Sequence, residues 1–435
     1  MFGTSGIRGP VGEDVTAALA LDVGRALGVE TTRVVVGRDP RESGELLVDA
    51  LTAGLRESGT DVVDVGLGAT PTVARAVDWQ DADAGVSVTA SHNPAPDNGI
   101  KLWQPSGQAF DEAGRERVTQ RIREGNTDLT AWGGLGTRKA RDARNRHAET
   151  IAAGIDVADP PAVVVDLGNG AGGVTVDALQ ALGCGVETLN AQPDGRFPGR
   201  PSEPTAENCT SLSALVAGSD ATLGIAHDGD ADRLRAATAD GQFVSGDELL
   251  AVFARVATTA GDSVAVPVDT SLAVPDYLAA VDVDVTYTPV GDVYVAERAS
   301  EAAVAFGGEP SGAWIWPTET LCPDGPLAAC KLVELHAERP LGERVAEVPD
   351  YPIQRDSVEV PDKAAVMERL ADRITDEYDD VQRLDGVRVD LGDAWFLVRA
   401  SGTQPLVRIT AEARDDDRAS EVFEIAREAV ADARS

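Results

Sequence analysis

Lysine is almost missing from this chain. Only four of its 38 basic residues are lysines (Lys101, Lys139, Lys331, Lys363), against 73 acids, and the formal net charge is −35. That balance excludes a general nucleic-acid binder, which needs a basic face, and gives no attraction to an anionic membrane. A carboxylate-rich surface with so little lysine fits a protein that works in molar salt, where the Debye length is about 3 Å and self-repulsion is screened. In dilute buffer the same charge is expected to loosen the compact state. The acids are spread along the whole chain rather than gathered into one docking patch. Cysteine is also scarce: Cys184, Cys209, Cys322 and Cys330 form no C-x-x-C pair and have no histidine at zinc-finger spacing, which reads as reduced, buried thiols. Aromatics are 4%, so the cores must be built from valine, leucine and alanine. No apolar run approaches the ~20 residues that span a bilayer. The opening MFGTSGIRGP has neither a basic nor an apolar leader segment, so the expected location is cytoplasmic.

What is present is enough apolar material for real cores: 43% of 435 residues. At roughly 150 residues per domain the length suggests about three domains, or four if some are small. Valine-rich runs at 32–36, 162–165 and 263–268 each lead into a glycine or polar loop, and amphipathic stretches at 45–57 and 174–182 follow the first two. Each reads as a buried strand opening a strand-turn-helix unit, and the alternation predicts an α/β architecture with parallel or mixed sheets. The last eighty or so residues differ. Runs at 395–399 and 406–410 predict two strands around a glycine-containing loop, and Val422, Ile425, Ala426, Ala429 and Val430 make a helical stripe. The expected organisation is three related α/β domains, at 1–150, 151–245 and 246–348, followed by a smaller α+β domain at 349–435. A proline-flanked linker at 349–352 would precede the last.

Four segments carry chemistry. Thr89-Ala90-Ser91-His92-Asn93-Pro94 follows a short strand and places a serine beside a histidine, in a stretch whose residues also suit an ordinary turn. No G-x-S-x-G elbow is present, which disfavours a serine hydrolase. Asp228-Gly229-Asp230-Ala231-Asp232-Arg233 sets three carboxylates at i, i+2 and i+4 after an apolar run. Three hard oxygen ligands beside an arginine suit Mg²⁺, against the alternative of a solvated acidic turn. Gly307-Gly308-Glu309-Pro310-Ser311-Gly312 can present a carboxylate and a hydroxyl together to adjacent sugar hydroxyls, though a plain turn has the same composition. Arg399-Ala400-Ser401-Gly402-Thr403-Gln404-Pro405, with Arg408 shortly after, suits a phosphate: glycine for close backbone approach, hydroxyls, and an arginine fork. Neither a Walker A sequence nor a G-x-G-x-x-G is present, so no nucleotide is implied.

Taken in this order, the four segments resemble the α-D-phosphohexomutase family, which includes phosphoglucomutases, phosphomannomutases and phosphoglucosamine mutases. Phe2-Gly3-Thr4-Ser5-Gly6-Ile7-Arg8-Gly9 and Asn98-Gly99-Ile100-Lys101 match as well, and the likeness runs from residue 2 to about residue 410. The resemblance implies four domains around a central cleft, each giving one loop. It makes Ser91 the phosphorylated serine, with Asp228, Asp230 and Asp232 holding one Mg²⁺ together with an oxygen of the Ser91 phosphate. Arg8, His92, Lys101 and Arg233 would surround the reacting phosphate, with Lys101 or His92 moving protons. Glu309 and Ser311 would read sugar hydroxyls, and Arg399, Ser401, Gly402, Thr403 and Arg408 would hold the other phosphate. The implied reaction interconverts a hexose 6-phosphate and a hexose 1-phosphate. Phosphoserine donates to the free hydroxyl, the bisphosphorylated sugar turns around, and its other phosphate returns to Ser91. Hexose bisphosphate would prime the serine, and the protein would be a monomer or homodimer.

Three positions depart from the family pattern. Ala313 stands where many relatives have histidine, Gln404 where they have glutamate, and Val293 where phosphoglucosamine mutases have arginine after Val290-Gly291-Asp292. With Glu309-Pro310-Ser311-Gly312-Ala313-Trp314, the Gly291-Asp292 segment makes the chain look most like the archaeal phosphoglucosamine mutase branch, so glucosamine phosphate is the expected substrate. The alternatives are a phosphoglucomutase or phosphomannomutase of broad specificity, a Mg²⁺-dependent phosphatase, and a non-catalytic sugar-phosphate sensor. A sensor would be expected to have lost Ser91 or an aspartate of the acidic loop, and all are present.

Overall fold

The valine runs become inner strands. In the computed structural model of the protein, which describes residues 1–125, 127–401 and 406–434, each run lies between two neighbours in a mixed sheet. Arg33–Arg38 pairs in parallel with Asp61–Leu67 and Ala84–Val88 in a six-stranded sheet. Ala162–Asp166 is flanked in parallel by Gly185–Leu189 and Leu223–His227 in a four-stranded sheet. Ser263–Pro267 is likewise flanked by Asp284–Thr288 and Val304–Gly308. A strand covered on both faces cannot alternate polar and apolar residues, which is why these segments are almost continuous valine and alanine. The helix Gly44–Glu57 buries Leu47, Val48, Leu51 and Leu55 against the first sheet, the stripe expected of an amphipathic helix.

In each of these sheets the strand that ends the parallel set turns back through a hairpin, and the turn carries chemistry. Ala84–Val88 returns as Asp97–Trp103, with Val88 opposite Ile100. Leu223–His227 returns as Leu234–Thr238, with His227 opposite Leu234. Val304–Gly308 returns as Trp314–Ile315. The serine, aspartate and glutamate loops are these three turns. They sit beyond the C-terminal ends of parallel strands, where open α/β sheets place their ligands.

The C-terminal unit is a five-stranded antiparallel sheet packed on the helices Lys363–Glu377 and Asp416–Ala433. Asp362 and Asp415 cap these helices, each side chain accepting from a backbone N–H of the first turn. The unit is tied to the third sheet through Glu412. Its carboxylate accepts from Ser271 Oγ (2.6 Å), Leu272 N (2.7 Å) and Trp395 Nε1 (2.6 Å). The segment 349–352 is also anchored, since the Tyr351 hydroxyl donates to Asp276 (2.9 Å). One buried apolar cluster runs unbroken from Val163 and Ile225 of the second sheet through Leu249 and Phe253 to Val266 and Leu327 of the third region. These two regions therefore share a core. Among the described residues, no helix is long and apolar enough to cross a membrane.

Candidate active site

Ser91 sits in its hairpin loop with φ +50°, the left-handed region that a non-glycine residue seldom adopts, and it is 1% exposed. The loop imposes this conformation. Asp39 accepts from the Thr89 hydroxyl (2.7 Å), and the Thr89 oxygen accepts from Ser91 N (2.8 Å). The Ser91 hydroxyl then points across to the second region and donates to Asp228 Oδ2 at 2.6 Å. His92 Nδ1 lies 3.4 Å from the same hydroxyl.

The second hairpin brings Asp228, Asp230 and Asp232 together, each offering an oxygen within 4.8 Å of the others, all buried. Ala231, with φ +57°, makes the tight turn. Burial, then mutual repulsion, pushes Asp228 and Asp232 upward from the usual carboxylate range. Asp230 is held low against burial by the Thr70 hydroxyl (2.7 Å to Oδ2) and by the charges of Arg8 and Lys101. Thr70 opens the helix Thr70–Trp79, and its backbone N–H also donates to the Asp230 carbonyl (2.9 Å). Thr70 therefore holds Asp230 at both its carboxylate and its main chain. Asp230 Oδ1 is buried with no hydrogen-bond partner. Three convergent carboxylates, one with an orphaned oxygen, fit a small divalent cation that keeps a few carboxylates and takes a phosphate oxygen.

A cavity of about 540 Å³ opens over this pair of loops. Its lining draws Arg8, Ser91 and His92 from the first region, Asp232 and Arg233 from the second, Gly291, Asp292, Glu309 and Ser311 from the third, and Arg399 from the C-terminal unit. Glu309 accepts from Gly291 N (2.8 Å) and from the Ser311 hydroxyl (3.1 Å). Burial, then the nearby Asp292, raises its carboxyl to about 7. The glutamate loop is fastened to the aspartate hairpin, with Leu234 N donating to Gly312 O (2.9 Å) and Trp314 Nε1 to Leu234 O (3.0 Å). Arg399 pairs with Asp385 (2.7 Å) and lies 3.7 Å from Asp269.

Other expected site residues lie outside the cavity lining. Lys101 and Asp228 are buried beneath it, as is Asp230. Lys101 donates to Asp292 Oδ2 at 2.5 Å and stands 4.6 Å from the Trp103 ring. Against burial, Asp292 and Asp232 hold its ammonium above the ordinary lysine value. It is therefore a fixed cation. His92 is the reverse case: burial, then Arg233 and Arg8, depress its pKa to about 3, and the ring is neutral. Arg408 stands opposite Arg399 in register, exposed to solvent, and Ser401 is buried with its carbonyl accepting from Lys363. Gly402 and Thr403 lie outside the described residues. Ala313, one of the three departures from the family pattern, borders the cavity, and Val293, another, packs into an apolar cluster with Trp103 and Cys322.

Sequence reasoning missed Thr70, Arg41 and Ser202. Thr70 precedes a proline at a helix start, a local signal of an N-terminus, but nothing local says that this end meets Asp230. Arg41 and Ser202 contact the serine loop and carry no motif of their own.

Four phosphoglucomutase/phosphomannomutase family descriptions match the chain in order: alpha/beta/alpha domain I over residues 1–128, domain II over 145–241, domain III over 245–351 and the C-terminal domain over 357–429. A curated relative from Methanopyrus kandleri, named "Probable phosphoglucosamine mutase", is 46% identical over 432 residues, covering 97% of this chain and 95% of its own. A solved phosphoglucomutase/phosphomannomutase family protein from Burkholderia thailandensis superposes with a TM-score of 0.89 at 29% identity, covering 100% of this chain and 98% of that one. The fold is shared more distantly with an Aspergillus fumigatus N-acetylphosphoglucosamine mutase solved with GlcNAc-6P and magnesium, at 16% identity and a TM-score of 0.62, with 100% and 96% of the two chains covered. With every family domain present and in order over nearly the whole length, this chain belongs to the phosphoglucomutase/phosphomannomutase family.

Proposed function

We propose that the protein interconverts glucosamine 6-phosphate and glucosamine 1-phosphate, using Ser91 as the carrier of the phosphoryl group. The observation that carries this reading is the Ser91 hydroxyl, 2.6 Å from Asp228 in a cluster of three buried aspartates, on the wall of a cavity that Arg399 of the C-terminal unit also lines. A group-transfer serine and a separate phosphate grip that line one cavity suit a substrate that carries phosphate on alternate ends. The sugar assignment draws on the archaeal relatives and on the Glu309–Ser311 pair.

In this reading the P–O bond to Ser91 Oγ breaks as one forms to the free sugar hydroxyl, and that hydroxyl's proton must leave. His92 stands beside Ser91 Oγ and can accept and return it once the phosphate's negative charge lifts the ring's pKa from about 3. Lys101, locked on Asp292, supplies charge rather than proton transfer. Arg8 and Arg233 face the phosphoryl oxygens, where negative charge is to be neutralised. Asp228, Asp230 and Asp232 would hold Mg²⁺, which when bound adds positive charge against the same oxygens. The bisphosphorylated sugar then turns over within the cavity. Glu309 and Ser311 meet hydroxyls that nearly superpose after the turn, and Arg399 grips whichever phosphate is not reacting.

The test is a comparison of glucosamine, glucose and mannose 6-phosphates as substrates, with purified protein in high KCl and Mg²⁺, primed with hexose bisphosphate. A strong preference for glucosamine phosphate is expected, and comparable rates on glucose and mannose phosphates would replace the assignment with a broad hexomutase. Replacing Arg399 by alanine should raise KM about ten- to a hundred-fold while kcat falls far less, since a charge-assisted contact made in both ground and transition states is lost. An unchanged KM in steady-state assays would mean that the phosphate grip lies elsewhere.

A further inference from the structure

The carbonyl oxygen of Ser91 is held from two sides. Arg41 Nη2 donates to it at 2.8 Å, and the Ser202 hydroxyl donates to it at 2.8 Å. Neither residue lines the cavity over the serine.

Arg41 is buried to 1% exposure, and its guanidinium is wholly committed to this loop. Nε donates to Asp39 Oδ2 (2.9 Å), Nη1 to the carbonyls of Pro94 (2.6 Å) and Asp97 (2.8 Å), and Nη2 to those of Ser91 and Asn93 (2.7 Å). A guanidinium has five N–H donors in a fixed fork, and here all five have acceptors. None is left for a phosphate. Asp39 also takes the Thr89 hydroxyl that fixes Ser91 N, so one buried ion pair defines both ends of the left-handed serine.

Ser202 joins this loop to the acidic one. While donating to Ser91 O, its oxygen accepts from Gly229 N at 3.0 Å, and Gly229 lies between Asp228 and Asp230. Ser202 is itself pinned by Arg200, which donates to the carbonyls of Pro201 (3.0 Å) and Ser202 (3.3 Å) and pairs with Asp166 (2.7 Å). Phe197, from the same segment, lies under the Arg41 guanidinium at 5.0 Å.

We propose that Arg41 and Ser202 are positioning residues that set the distance and angle between the Ser91 oxygen and the aspartate loop. The inference rests on Ser91 as the phosphoryl carrier. Transfer by positioning is sensitive to displacements of about 1 Å; Arg41 fixes the Ser91 carbonyl within its own loop, and Ser202 links that carbonyl to Gly229 of the aspartate loop.

The experiment uses the full chain with Ser202→Ala and, separately, Arg41→Lys, each primed with glucose bisphosphate. The fraction of chains phosphorylated at Ser91 is read by intact mass and peptide mapping. Kinetic constants are expressed per phosphorylated chain, and Mg²⁺ affinity is measured by calorimetry without sugar. For either variant kcat should fall on the order of ten- to a hundred-fold with KM within about twofold. Ser202→Ala should also bind Mg²⁺ several-fold more weakly, because the Gly229 anchor is gone. Wild-type kcat per phosphorylated chain together with wild-type Mg²⁺ affinity would overturn the proposal, as would losses that track only the folded fraction. A wild-type protein that never becomes phosphorylated would instead overturn the functional reading on which it rests.

Discussion

Ser91→Ala is expected to abolish turnover, by at least on the order of 10⁴-fold, while sugar-phosphate binding stays within a few-fold of wild type. The two halves of the result have separate causes. The hydroxyl oxygen is the only heavy atom removed, and in the proposed mechanism it is the atom that carries the phosphate, so no alternative route through the same cavity remains. The groups proposed to hold the rest of the substrate, Glu309, Ser311 and Arg399, lie on other loops and keep their partners. The fold should also tolerate the change. Ser91 holds its left-handed φ through backbone contacts at N and O, and these survive in alanine. Asp228 loses one donor while keeping the Arg233 N–H at 3.2 Å. The thermal midpoint should move by no more than a few degrees. The measurement pairs a coupled mutase assay with calorimetric titration of glucosamine 6-phosphate. Appreciable turnover, or mass addition of phosphate at another residue, would end the phosphoserine mechanism.

The strand ends and the loops that follow them were legible because both are local. A valine run followed by glycine or aspartate carries its own period and its own stop, and the three hairpin turns fell on the segments singled out for chemistry. What joins those turns is not local. Ser91 meets Asp228, Thr70 meets Asp230 and Lys101 meets Asp292 across separations of 137, 160 and 191 residues. No spacing rule reaches that far. The same limit explains Lys101. From sequence it stands as a lysine near a serine, and only the structure brings in the buried contact with Asp292 that keeps it charged. His92 stands beside Ser91, and the family resemblance offers it alongside Lys101 as a mover of protons. Its neutral state depends on burial between Arg8 and Arg233, which composition cannot report. The core common to the second and third sheets was hidden for a related reason, since its clusters are built from the same valines and alanines as any separate core.

The second large effect is expected at Asp232, and it has opposite signs for activity and for metal-free stability. Three buried carboxylates within 4.8 Å repel one another, and burial, then Asp230, raises Asp232 to about 7. In an unfolded chain an aspartate ionises near about 3.9. A group whose folded value is raised stabilises fully below the unfolded value, and that contribution is lost as pH rises through the folded one. Without metal, the native state is therefore penalised progressively from about pH 4 to about pH 7 and fully above that. Asp232→Asn removes the penalty. In chelator the variant should melt higher than wild type at pH 8, with the gap closing toward pH 4. In Mg²⁺ the order should reverse in response: wild type gains thermal stability because the ion binds only the folded form, and the variant gains little. Turnover of the variant should fall by on the order of 10²-fold or more, since one of the three carboxylates proposed to hold Mg²⁺ is lost, and with it the cation's charge against the phosphoryl oxygens. Thermal scans at several pH values, with chelator and with Mg²⁺, give all four comparisons. A variant that melts below wild type in chelator at pH 8 would mean that the aspartates are stabilised by partners other than a cation. An undiminished Mg²⁺ response would place the ion elsewhere. The repulsion that weakens the empty loop is the same charge density that would draw the cation to Ser91, so stability is given up at the one place where transfer needs it.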